Sequence, residues 1–154
     1  MQCKRPILSD YDYNFKWSGT HLPVITSNLQ EVTNVVDDNN PSHYDKAVLK
    51  FKRPLTFNES CVIHFKSQLD DTDKQSDTHV SNRILRPVDV IHYRIILKYK
   101  DSNTNAILER KKNDAVSQNF EKIREIAFDL DSKSYEHHLL NPELGYIYRI
   151  RWDR

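Results

Sequence analysis

Glycine is nearly missing from this chain: Gly19 and Gly145 are the only two in 154 residues. Phosphate-cradling loops and dinucleotide-binding turns need several glycines for close backbone approach, so neither motif is present. Turns must instead be made by Asn, Asp, Ser and Pro, which cluster between the patterned segments. Cysteine is equally scarce. Cys3 and Cys61 cannot define a disulfide framework, and a pair of reduced thiols is expected. No run approaches the ~18 apolar residues of a membrane-spanning helix. The opening stretch MQCKRPILSDYDYNF lacks the apolar core and small-residue cleavage site of a secretory signal. The expectation is a soluble, intracellular, cytoplasmic protein, in which the sequon at Asn58 has little meaning. Charge of one sign is lacking too: the net charge is +1, so no global field drives the chain to nucleic acid or membrane.

What is present is aromatic surface and alternation. Hydrophobic residues make up a low 38% and charged residues a high 29%, but eight Tyr, six Phe and two Trp supply enough apolar area to exclude wholesale disorder. No internal repeat or composition shift occurs, and residues 1–154 are expected to form a single domain. In YDYNFKW, Tyr11, Tyr13, Phe15 and Trp17 alternate with Asp12, Asn14 and Lys16, the pattern of a half-buried antiparallel strand. LPVITSNLQEVTNVV reads as one or two strands, with a break near Ser27–Asn28 if two, ended by the DDNN turn at Asp37. DKAVLKFKR is a strand stopped by Pro54, and CVIHFKS another, with Cys61, Ile63 and Phe65 inward. In VDVIHYRIILK, Ile91, Tyr93, Ile95 and Leu97 oppose His92, Arg94 and Lys98; a hairpin then leads into AILERKK. Val116, Phe120 and Ile123 are spaced for a helical turn over 114–123, after which Ile126 and Phe128 resume strand periodicity. The last segment, GYIYRIRW, sets Tyr146, Tyr148, Ile150 and Trp152 against Ile147, Arg149 and Arg151. The predicted fold is an all-β antiparallel sandwich, immunoglobulin-like in the loose architectural sense, with about eight or nine strands and at most one short helix.

Candidate chemistry is sparse. The loop DDTDKQSD carries Asp70, Asp71, Asp73 and Asp77, oxygen donors of the kind calcium takes roughly six to eight of. It lacks the glycine and closing glutamate of an EF-hand and includes Lys74, so a solvated loop is the plainer reading. In YEHH, His137 and His138 would point to opposite faces if on a strand and could not easily chelate one ion. In a loop they could, with His43 or His79 as remote partners, but a surface or turn role is the plainer reading. No serine sits in a nucleophile elbow, and Cys61 reads as a buried, inert thiol. Trp17, Trp152, Tyr146 and Tyr148 read as core; pairing of the first and last aromatic strands would tie the termini into the fold.

The strongest pattern is segregation of charge. Outward positions of the strands are basic (Lys50, Lys52, Arg94, Lys98, Arg149 and Arg151), with Arg110, Lys111 and Lys112 alongside, while acids gather in the links. A cationic sheet face suits an acidic protein partner, an anionic ligand or nucleic acid. Equally, lysine and arginine stems cover sheet surface and guard strand edges. The expectation is a non-catalytic binding or interaction module that docks a protein partner or senses a ligand within a larger assembly, with no cofactor. A divalent-cation or small-ligand sandwich using loop 70–77 is the alternative, and an enzyme whose site the sequence does not display is the third.

Overall fold

The computed structural model describes residues 2–36, 45–98, 104–114, 116 and 119–154, with backbone only at 34–36. The DDNN turn and His43 lie outside these residues. The protein is all-β: twelve strands in antiparallel sheets, and no helix among the described residues. In particular, none is long and apolar enough to cross a membrane. The chain folds as two compact units, Met1–Asp77 and Thr78–Arg154.

In the first unit the strands are β1 (Ile7–Phe15), β2 (Val24–Thr26), β3 (Glu31–Val36), β4 (Asp45–Thr56) and β5 (Lys66–Gln68). They form one sheet in the order β1-β4-β3 and a small β2-β5 pair. Alternation in β1 and β4 sorts the side chains as their period dictates: Ala47 and Leu49 are fully buried, and Tyr11, Tyr13 and Phe15 are half-buried between exposed polar neighbours. Tyr13 stacks on Phe15 at 5.5 Å and on Phe65 at 3.9 Å, and burial pushes its phenol up to about 12. Pro54 does not end β4. The strand runs on to Thr56 because the β1–β4 ladder shifts register between Leu8 and Asp10, which leaves the proline, with no N–H to donate, out of the paired positions.

Segment 61–65 is not a strand. Its backbone is held by one side chain: Gln30 Nε2 donates to the Val62 carbonyl at 2.9 Å, and the His64 amide donates to Gln30 Oε1 at 3.0 Å. Cys61 is accordingly only half-buried, whereas Cys3 is the buried thiol; neither forms a disulfide.

The second unit contains β6 (His79–Arg83), β7 (Val90–Ile96), β8 (Ala106–Lys112), β9 (Glu121–Ile126), β10 (Phe128–Asp129), β11 (Ser134–Leu140) and β12 (Tyr146–Arg151). They make a three-stranded sheet, β10-β11-β7, and a four-stranded sheet, β6-β12-β8-β9. Tyr93, Phe128 and Tyr135 from the first and Ala106, Leu108, Ile126 and Ile150 from the second close one hydrophobic core, so this unit is a two-layer sandwich. Trp152, Ile91, Ile95 and Val80 pack at its margin.

Three expectations are corrected here. β7 and β8 are not a hairpin: β7 pairs with β11, and β8 pairs with β12 and β9, because each strand buries its apolar side from a different layer of the sandwich. The helical turn expected over 114–123 gives way from Glu121 onward to β9, an edge strand whose partner β8 supplies the hydrogen bonds; 115, 117 and 118 lie outside the described residues. The first and last aromatic strands do not pair, since β1 lies in a ladder with β4 and β12 between β6 and β8.

Candidate functional site

Arg149 and Arg151 project from the outer side of β12, a central strand, while Tyr148 and Ile150 project into the core. The acid missing from their own strand comes from the neighbouring one. Glu109 of β8 is the register partner of Arg149; its Oε1 accepts from Nε of that guanidinium at 2.6 Å and stands 2.6 Å from Nη2 in an ion pair. Arg151 Nε stands 3.6 Å from the same oxygen. The Glu109 side chain retains only 9% exposure, Arg149 23% and Arg151 42%, so the acid is sunk into the sheet surface beneath the two cations. A bulge between Leu108 and Glu109 sets Lys122 of β9 opposite Glu109 on the other side.

Phe120 lies over this cluster. The Arg149 guanidinium is 3.7 Å from its ring centroid and Lys111 Nζ 5.0 Å, so two cations share one aromatic ring. Arg149 is therefore fixed on two sides, by a carboxylate and by a ring. Arg151 also reaches Asp153 Oδ1 at 4.0 Å, and Lys122 bonds Glu125 Oε1 at 2.6 Å.

Register also supplies acids elsewhere. Lys50 stands between Asp10 of β1 and Glu31 of β3, and Arg94 stands opposite Glu136 of β11. Lys52 falls in the irregular part of the β1–β4 ladder, and Lys98 follows β7, with its carbonyl accepting from Lys133 Nζ at 3.4 Å. The six basic residues thus divide among three ladders, and Arg149 with Arg151 is the pair that the fold brings together. Arg110 faces the other way from Lys111: it bonds Glu143 and Glu121 and stacks on Tyr146 at 4.9 Å, beside a cleft of about 450 Å³ floored by Ile123, Leu139 and Leu140. Its guanidinium is held further up in pKa by Tyr148 and Glu143.

Asp70, Asp71 and Asp73 accept hydrogen bonds from their own loop and, at Asp73, from Thr20. Asp70 Oδ1 accepts from the Thr72 amide and hydroxyl at 3.1 and 2.9 Å, Asp71 Oδ1 from the Ser76 amide at 2.9 Å, and Asp73 from the Gln75 amide and Thr20. These bonds hold the Asp70 and Asp73 carboxyls below their ordinary range. The Asp77 amide donates to Ser18 Oγ at 2.7 Å. Among the described residues no group of three or more His, Cys, Asp or Glu side chains is gathered to hold a metal ion.

His137 and His138 do diverge. His137 is half-buried, and burial, reinforced by Arg124, lowers its pKa; His138 is exposed and stacks on His92. Glu109 and Phe120 are the two residues of the cationic cluster that sequence reasoning missed. The only local hint was an acid, Glu109, immediately before the cationic run Arg110–Lys112. Comparison of the chain with protein-family models, curated proteins and solved structures finds no match.

Proposed function

We propose that this protein is a non-catalytic binding module, and that the outer face of the four-stranded sheet docks an acidic segment of a protein partner. The observation that carries the reading is the convergence of Arg149 and Arg151 on the single carboxylate of Glu109. Glu109 and, at 4.0 Å from Arg151, Asp153 offset the two guanidinium groups, and Lys111 beside Phe120 supplies the positive surplus. Glu109 engages Nε and Nη2 of Arg149. A guanidinium already held by a carboxylate and an aromatic ring loses little rotamer freedom when it accepts a second carboxylate, which favours recognition at a fixed position. Nucleic acid fits less well. Glu109 and Glu125 interrupt the face, and the tyrosines of β12 and β7 turn inward, so no stacking platform for bases is offered. The reading includes a reducing intracellular setting, in keeping with two cysteines that form no disulfide.

The test is an NMR titration of the full chain at low salt with an oligo-glutamate peptide and, separately, a single-stranded oligonucleotide. The expected result is saturable shifts confined to β8, β12 and Phe120, stronger with the peptide and weakened by salt. Preference for the oligonucleotide, or shifts scattered over both units, would overturn the assignment.

A further inference from the structure

The outer face of the three-stranded sheet carries a second constellation, independent of the cationic cluster. His92 of β7 and His138 of β11 are register partners, and their rings lie parallel within 2° at a centroid distance of 4.2 Å. Glu136, two residues before His138 on the same face, places Oε1 2.8 Å from His92 Nε2. We propose that His92 and His138 form a two-histidine chelating site for a borderline divalent transition ion of the Zn²⁺, Ni²⁺ or Cu²⁺ class.

Three features of the geometry support this. The antiparallel ladder fixes the two histidines opposite each other, so the second donor is presented without the entropy loss of gathering it. A tetrahedral ion with Zn–N bonds of about 2.0–2.1 Å needs its donor nitrogens about 3.3 Å apart. Rings with centroids 4.2 Å apart are close enough to share one ion once side-chain rotation turns them out of the parallel stack, so that both in-plane lone pairs converge. Glu136 then acts as the outer partner of a metal-binding histidine: by accepting from Nε2 it fixes the tautomer of His92 and leaves the Nδ1 lone pair for the ion.

The charges on the same face do not oppose a cation. Arg94 is the cross-strand partner of Glu136 and also lies near Asp129, whose carboxyl is held below its usual range by Ser132 and the amide of Asp131. Two carboxylates thus offset one guanidinium. Imidazole donors select transition ions over the hard cations Ca²⁺ and Mg²⁺, which want oxygen. The site supplies two protein ligands, and water or a donor from a bound partner completes the shell. His92 and Glu136 are about half exposed, at 45% and 49%, which leaves the approach open.

The experiment is a Zn²⁺ titration of the full chain, read by NMR of the histidine ring protons and by calorimetry. One-to-one binding is expected, with the largest shifts at His92 and His138. His92→Gln and His138→Gln should each weaken binding about tenfold or more, as expected when a chelate falls to a single donor. Glu136→Gln should weaken it by about tenfold through the lost orienting bond. His21→Gln, an exposed histidine of the other unit, and Arg151→Glu on the cationic face should leave it unchanged. Equal broadening of all histidines, or undiminished affinity in folded His138→Gln, would overturn the proposal.

Discussion

Glu109 and Arg149 face each other across the β8–β12 ladder, with both Nε and Nη2 of the arginine 2.6 Å from one carboxylate oxygen. Two arginines on the wet side of a strand that carries no acid are thereby explained: the acid lies one strand away, buried beneath them. The pair serves the fold as well as the surface, because a carboxylate with so little exposure is tolerated only while it is paired.

Loss of either partner should therefore cost stability. Arg149→Ala should destabilise by about 2 kcal/mol, and Glu109→Gln by about 1–2 kcal/mol, less than for a fully buried pair because the guanidinium keeps some hydration and Arg151 is close by. Urea denaturation of the two variants and their double mutant measures the coupling. Additive losses would mean that the contact contributes nothing of its own.

Charge reversal at Arg151 and Lys111 should separate binding from stability. Lys111 lies beside the Glu109–Arg149 pair, whereas Arg151 Nε is 3.6 Å from Glu109, so Arg151→Glu with Lys111→Glu should cost about 1–2 kcal/mol and leave the chain folded. Affinity for an oligo-glutamate peptide should fall at least about tenfold, roughly 1.4 kcal/mol. Unchanged affinity in the folded double variant would place the contact surface elsewhere.

The same substitution at two buried tyrosines should have opposite consequences. Tyr135 is fully buried and its hydroxyl donates to the Thr104 carbonyl at 2.5 Å, whereas the buried Tyr93 hydroxyl has no protein partner among the described residues. Tyr135→Phe should cost about 1–2 kcal/mol, through a lost bond and an orphaned carbonyl. Tyr93→Phe should be neutral or stabilising by up to about 1 kcal/mol, since it removes a polar group that burial penalises. Thermal unfolding of the two variants decides it, and a larger loss at Tyr93 than at Tyr135 would contradict the packing described.

Acid should loosen the first unit through Glu59. Its carboxylate accepts from Arg53 Nη1 and Nη2 at 3.1 and 2.9 Å and from the Thr56 amide, which together hold its pKa at about 2 against an ordinary 4.5. A depressed acid binds its proton more weakly in the folded state. Its contribution is therefore fully present above pH 4.5 and is lost as the pH falls from 4.5 toward 2. The wild-type melting temperature should drop through this window, and Glu59→Gln should flatten part of that slope. An unchanged slope in the variant would show that the pair adds nothing to acid stability.

Alternation of large apolar and polar residues every second position sufficed to make β1, β4, β7 and β12 strands and to decide which side of each is dry, because a strand's side-chain period is a property of the local chain. For the same reason Tyr93, Tyr148 and Ile150 were legible as core and Arg149 and Arg151 as outward. Which strands lie side by side is a long-range matter, settled by how two layers close a common core. β7 therefore joins β11 rather than the next strand along, and β12 fits between β6 and β8. The chemistry of both surface sites follows from that register alone: Glu109 meets Arg149 across 40 residues of chain and His92 meets His138 across 46. Neither meeting is written in a local pattern, since an arginine reads the same beside a carboxylate as beside water until the strand next to it is known.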